Sequence, residues 1–232
     1  MSIPKRLMKE IAVAQDADMR SLGIYYTHDD VDWRKGYAMI VGPEGTPYAH
    51  CPLMFMFTLP ADYPITNPSV VFLTSDGKTR FHPNLYVEGK VCLSILGTWS
   101  GPSWIASMTI STVLTSILSL LEENPIVNEP GWEKYTLEHK RAKDYAEYVK
   151  HALVSHSFRG FCKWKEGNMP PVWARFEDDL NEIGDGVMGK LYEIISENAA
   201  NDEVKYDSVV YNMGGTTNWK VLKDMGAAMS PP

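Results

Sequence analysis

The residue best equipped for chemistry is Cys92, because of what precedes it. Taken alone, a cysteine is more often a buried small hydrophobe than a nucleophile. Here Gly89-Lys90-Val91-Cys92-Leu93 follows His82-Pro83-Asn84, with Asn84 eight residues before the thiol. Gly89 lets the backbone turn tightly. Pro83 fixes the chain, and the ring nitrogens of His82 can tie the loop. Asn84 offers a neutral amide donor near the sulfur. Such a donor suits the oxyanion that develops when an amine attacks a thioester, and one donor of this kind is worth about 2.7–4 kcal/mol. No base adjacent in sequence prepares Cys92 as a protease-like thiolate, which favours an acyl carrier over a hydrolase.

Regular elements must hold this segment. Pro4 suits a first helical turn, and Leu7, Ile11 and Ala14 follow at helical spacing, with Ser2 or Ile3 as cap. This predicts a helix over residues 4–16, with Lys5, Arg6 and Lys9 on its outer side. An antiparallel meander follows: Tyr37–Val41, the turn Gly42–Pro47, Leu53–Leu59 and Ser69–Leu73, joined by short connections. Residues 74–91 lose periodicity, which in a compact chain points to function. Ile110, Val113, Leu114, Ile117, Leu118 and Leu121 then mark a largely buried helix that Asn124-Pro125 ends. A third helix is expected over 133–155. Gly160, Gly167 and Pro170-Pro171 read as a linker. Trp173, Phe176, Leu180, Ile183, Val187 and Ile194 then recur as an amphipathic helix weakened by Gly184, Gly186 and Gly189. From Gly214 the chain is poorly patterned, and Ser230-Pro231-Pro232 reads as a mobile end.

Composition narrows the classes. The 232 residues are 44% hydrophobic, enough for a real core. Lys plus Arg number 22 and Asp plus Glu 29, a formal charge of -7 that argues against a nucleic-acid partner. No run of about 18 apolar residues is present, so no membrane partner is expected. The charged N-terminus lacks a signal-peptide apolar block, which makes the cytoplasm or nucleus the default location. Cys51, Cys92 and Cys162 are too few and too widely spaced for a disulfide framework or a zinc site, so no metal is expected.

Taken together, His82-Pro83-Asn84, the step to Cys92 and the Gly89–Leu93 segment resemble the active-site signature of ubiquitin-conjugating enzymes. Val41-Gly42-Pro43, Thr46-Pro47-Tyr48, Pro60-Ala61-Asp62-Tyr63-Pro64 and Trp104 resemble that family as well, and the resemblance covers residues 3–155. The extra residues in Cys92–Pro102, with Asn124-Pro125 and Asn128-Glu129-Pro130-Gly131, are similar to the long Z type of the family. The conjugating domain of very large inhibitor-of-apoptosis proteins shares related loop features. The implied fold is α+β, the ubiquitin-conjugating (UBC) fold: a four-stranded antiparallel meander with flanking helices, here with a helical C-terminal extension. The implied units are a catalytic core over 1–156 and an extension over 157–232 that packs on it.

The resemblance implies a carrier that takes ubiquitin, or a ubiquitin-like modifier such as FAT-ten, from an activating enzyme as a Cys92 thioester. The Z type implies the non-standard activating enzyme. The carrier then passes the modifier to a lysine of a protein substrate, usually with a ubiquitin ligase. It needs no cofactor, since ATP is used upstream by the activating enzyme. By position, Cys92 matches the thioester cysteine, and Asn84 the asparagine that supports the oxyanion or the active-site loop. His82 and Pro83 support that loop, and Tyr86 flanks the incoming lysine. Glu129, or its rival Asn128, orients that lysine. Lys5, Arg6 and Lys9 match the face turned to activating enzymes, and Ile65 and Trp104 the ligase-contact loops. Ile65 replaces a frequent phenylalanine, Trp104-Ile105-Ala106 a frequent Trp-Ser-Pro, and His50-Cys51 two usual glycines. These departures put the usual ligase partners in doubt, though not the chemistry. A non-catalytic variant of the fold would lack the cysteine. A cysteine hydrolase would need a histidine base, and His82, the only one close in sequence, has a structural task in the motif.

Overall fold

A computed structural model describes residues 4–229; the expected caps Ser2 and Ile3 and the end Ser230-Pro231-Pro232 lie outside them. Helix α1 (Lys5–Ala14) has Pro4 at its N-cap position and buries Leu7, Glu10 and Ala14. A separate short helix α2 (Ala17–Ser21) follows, capped by the Asp16 carboxylate, which accepts from Met19 N at 2.9 Å.

Strands β1 (Ile24–His28), β2 (Lys35–Val41), β3 (Pro52–Thr58) and β4 (Ser69–Phe72) form one antiparallel sheet in the order β1-β2-β3-β4. The sheet confirms the expected meander and adds β1, which the sequence reading left unplaced. Leu53, Phe55 and Phe57 of β3 are fully buried, and so is Met54 on the opposite face, so β3 is covered on both sides. Helix α3 (Ile110–Leu118) buries Ile110, Val113, Leu114 and Ile117. Its start is a capping box, in which Thr109 and Thr112 each accept the other's backbone N–H. It ends at Leu118, and tight turns carry the chain on to Asn124-Pro125.

The largest departures lie beyond residue 130. The expected helix over 133–155 is instead α4 (Lys140–Lys165), which starts later and runs straight through His156 and Gly160. The supposed linker therefore begins only at Gly167. Gly160 is buried, and a Cβ there would lie 2.7 Å from the Trp173 ring, so the close approach of that ring needs a glycine. Helix α5 (Glu177–Asn198) forms despite its three glycines and buries Leu180, Gly184, Leu191 and Ile195. It packs beside α4, as the apolar stripe required, but on Phe158, Phe161 and Trp164. Tyr145 and Tyr148 of α4 face another partner. That partner is a hairpin of β5 (Lys205–Val209) and β6 (Met213–Thr216), followed by helix α6 (Trp219–Met229), which lies in the stretch from Gly214 that read as poorly patterned. Tyr148 packs edge-on against Tyr206, and its hydroxyl donates to Gly214 O at 3.0 Å. Asp179 pairs with Arg20 at 2.7 Å and Arg175 with Asp29 at 3.1 Å, which ties residues of the extension to the sheet side.

Two glycine substitutions should move stability in opposite directions. Gly160→Ala gains helix propensity but overpacks Trp173, and should cost about 1–3 kcal/mol. Gly186 meets nothing within 4 Å, so Gly186→Ala should stabilise by about 0.5–1 kcal/mol. Chemical denaturation of the two variants checks both signs.

Candidate active site

Residues 74–91 are irregular, so their backbone groups need partners that no ladder supplies. Asn84 provides the central ones. Cys92 N donates to Asn84 O at 2.9 Å, and the Asn84 side-chain amide donates to Cys92 O at 2.8 Å. The amide therefore rests on the Cys92 carbonyl rather than on the sulfur, which is the loop-supporting geometry. Asn84 N donates to His82 Nδ1 at 2.9 Å. His82 is fully buried, and burial lowers its pKa from 6.5 to about 3, only partly opposed by the Leu120 backbone. The ring is neutral, with its proton on Nε2, and cannot act as a base near pH 7.

Neighbouring elements fix both ends of the segment. The Tyr48 hydroxyl donates to Phe81 O at 2.8 Å, and the Tyr145 hydroxyl to Arg80 O at 3.0 Å. Gly89 has φ 96°, and a Cβ there would lie 2.9 Å from Phe72 O, so a glycine is required where the loop crosses β4. After the cysteine, the Thr98 hydroxyl donates to Val91 O at 2.7 Å and accepts from Leu93 N at 2.9 Å, anchoring the exposed insertion that carries Trp99.

The three thiols differ. Burial pushes Cys51 up to about 12 and also raises Cys162. Both are poor nucleophiles where they sit. Cys92 is buried, at 1% exposure, yet it lies outside the hydrophobic core cluster that contains the other two.

The remaining site residues separate into groups. Tyr86 is half-buried, and the Arg80 guanidinium lies over its ring at 3.7 Å. The Glu129 carboxylate accepts from the Tyr211 hydroxyl at 2.5 Å, whereas the Asn128 amide donates to Glu122 at 2.6 Å. Glu129 is thus joined to the loop through Tyr211 and Arg80, and Asn128 is turned to a different carboxylate. Arg80 and Tyr211 escaped the sequence reading. The only local hint was an arginine directly before Phe81-His82-Pro83, and nothing near Tyr211 marked it.

Along α1, Lys5 and Lys9 are exposed with no ion pair among the described residues. Arg6 instead pairs with buried Glu10 at 2.7 Å and donates to Met108 O at 3.1 Å. Ile65 is 72% exposed and stands beside Trp104, whose indole donates to Pro64 O at 2.8 Å and packs on Tyr63. The two loops meet, with Ile65 and Ile105 outward and Trp104 as the tie between them.

With this geometry in view, comparison with known proteins decides the family. Residues 6–154 match the family model described as ubiquitin-conjugating enzyme, well over half the chain. The chain belongs to the ubiquitin-conjugating enzyme family. Ubiquitin-conjugating enzyme E2 Z of Homo sapiens is 44% identical over 149 residues, covering 64% of this chain and 41% of that protein. The Caenorhabditis elegans protein named Probable ubiquitin-conjugating enzyme protein 17 is 31% identical over 255 residues, covering 98% and 34%. This chain therefore spans well under half the length of either relative. A solved Plasmodium yoelii chain of ubiquitin-conjugating type shares the fold, with a TM-score of 0.50 at 24% identity over 67% of this chain and 97% of that one. The α+β UBC fold and the likeness to the Z type expected from the sequence both hold. The second relative extends the similarity into the region of α5, β5, β6 and α6.

The pKa of His82 has a consequence for stability. Between about 6.5 and about 3 the unfolded histidine takes up a proton that the folded one refuses. Stability is therefore present above pH 6.5 and falls as pH drops through that window, by up to about 1.4 kcal/mol per unit. His28, His151 and His156, also lowered by burial, add the same sign. His82→Asn should flatten the slope relative to the unaltered chain in denaturation series from pH 7 to pH 4.

Proposed function

We propose that this chain accepts ubiquitin, or a ubiquitin-like modifier, from an activating enzyme and holds it as a thioester on Cys92. The Cys92 sulfur attacks the thioester carbonyl carbon of the charged activating enzyme, and that enzyme's thiol leaves. A substrate lysine amine then attacks the new thioester, the C–N bond forms, the C–S bond breaks, and the amine's lost proton balances the regenerated Cys92 thiol. The observation that carries this reading is the reciprocal pair of hydrogen bonds between Asn84 and Cys92. It sets a neutral amide donor against the backbone of one free thiol, whereas Cys51 and Cys162 are packed into the hydrophobic core.

The histidine nearest in sequence, His82, is neutral and occupied by Asn84 N, so it offers the acylated cysteine no base, and the thioester waits for a positioned amine. Likeness to the Z type supports the non-standard activating enzyme as donor and a modifier range that includes FAT-ten. Lys5 and Lys9 are the α1 cations free to meet the activating enzyme. Ile65 and Ile105 are the apolar residues open to a ligase.

The test is a charging reaction with activating enzyme, ATP and ubiquitin, resolved on a non-reducing gel. An adduct that reducing agent removes should form on the unaltered chain and on Cys51→Ser and Cys162→Ser, and Cys92→Ser should give at most a thiol-resistant ester. An adduct that persists in Cys92→Ser and is still cleaved by reducing agent would sink the assignment. In the charged enzyme the Asn84 amide must turn from the Cys92 carbonyl to serve the oxyanion, and Asn84→Ala should then slow transfer to free lysine by about 100-fold. A normal rate would leave Asn84 with the loop-supporting task alone.

A further inference from the structure

Tyr211 reaches Glu129 from 82 residues further along the chain. It sits in the connection between β5 and β6, where Tyr211 and Asn212 have φ 65° and 55°. Two successive non-glycine residues in the left-handed region cost free energy and persist only where the surroundings demand it. The demand is visible on three sides of the tyrosine.

Its hydroxyl donates to Glu129 Oε2 at 2.5 Å, and Glu129 Oε1 accepts nothing among the described residues. Its ring lies 4.1 Å from the Arg80 guanidinium carbon, against 3.7 Å for the Tyr86 ring. Both rings thus lie against the one cation, and Arg80 is held between Tyr86 and Tyr211 by two cation–π contacts. Held there, Arg80 donates through Nη2 to Pro83 O, inside the motif that ends at Asn84. The next residue of the hairpin, Met213, places its sulfur 3.1 Å from Arg80 N, and the Tyr145 ring packs edge-on against Tyr211 at 5.8 Å. Burial and the Glu129 hydrogen bond both push the Tyr211 phenol above its usual value, so it stays a donor at any working pH.

We infer that Tyr211 is a positioning residue of the active site, supplied by the extension, which fixes the Glu129 carboxylate to receive an incoming lysine and clamps the Arg80–Pro83 segment beneath it. The inference rests on the thioester reading given above. Holding one carboxylate oxygen leaves the other pointed and unshared, which suits an ammonium that must lose its proton and meet a thioester carbon in one orientation.

Tyr211→Phe removes the hydroxyl and keeps the ring on Arg80; Tyr211→Ala removes both. Each full-length variant is charged with ubiquitin, and single-turnover discharge is followed with free lysine and with 2-mercaptoethanol as acceptors. Tyr211→Phe should charge as the unaltered chain does, discharge to lysine about tenfold more slowly, and discharge to the thiol at the same rate, because a thiol needs no amine positioning. The double variant Tyr211→Phe/Glu129→Gln should be no slower than Glu129→Gln alone, since the hydroxyl acts through that carboxylate. Tyr211→Ala should be slower than Tyr211→Phe with lysine. A Tyr211→Phe rate to lysine that is unchanged or faster overturns the proposal, as does equal slowing with both acceptors. Absence of any Cys92 adduct on the unaltered chain would instead overturn the thioester reading, and the positioning role with it.

Discussion

The two hydrogen bonds between Asn84 and Cys92 are the interaction on which the rest of the site depends. The segment from Thr74 to Val91 has almost no ladder to satisfy its backbone, with only isolated bridges such as Val71 with Lys90 and Leu85 with Val91. A loop of this kind is fixed by side chains or not at all. Asn84 closes it onto the cysteine, neutral His82 holds the Asn84 amide nitrogen, and the Tyr48 and Tyr145 hydroxyls take the carbonyls at its upstream end. Each of those side chains is itself buried in the sheet loop or in α4. The hydrophobic core thus reaches the cysteine through a short series of neutral hydrogen bonds, and none of them requires a charge to be desolvated.

Charge is treated differently where α1 meets α3. Glu10 is buried, and its carboxylate is satisfied by Arg6, by the Tyr63 hydroxyl at 2.5 Å and by Ile110 N at 3.2 Å, at the start of α3. A buried carboxylate survives when it has this many donors and a helix N-terminus beside it. The arrangement binds α1, the loop before Ile65 and α3 into one junction. It also explains why Arg6, on the face expected to meet other proteins, is partly withdrawn from that duty while Lys5 and Lys9 are not.

What the sequence made legible followed from local pattern. The period of α3 is plain because one helix face packs on the core, and the loop around Cys92 stood out because its residue types and spacing match a known motif. Strand β1 was missed because Ile24, Tyr25 and Tyr26 are all buried, so the alternation that marks a half-buried strand is absent. Gly160 read as a linker because the Trp173 ring that needs its space lies outside any local window. The stretch over 133–139 read as helix, but Trp132, Tyr135 and His139 pack tilted and edge-on against one another and hold it as turns. Gly214 and Gly215 hid β6, whose pairing is carried by the backbone. Tyr211 was illegible for the deepest reason: both of its partners, Glu129 and Arg80, are distant in the chain, and no periodicity or motif encodes contacts at that range.

The family match stops at residue 154, yet α4 passes that point without a break and continues to Lys165. At 1.5 Å per residue, its 26 residues make a rod about 39 Å long. One end of the rod carries Tyr145 and Tyr148, against the hairpin that holds Tyr211; the other carries Phe158 and Phe161, against α5. Because no flexible joint separates core from extension along this rod, the two share one lever arm. A partner that tilts α5 therefore acts on the same helix whose Tyr145 hydroxyl holds Arg80 O, upstream of the motif that ends at Asn84.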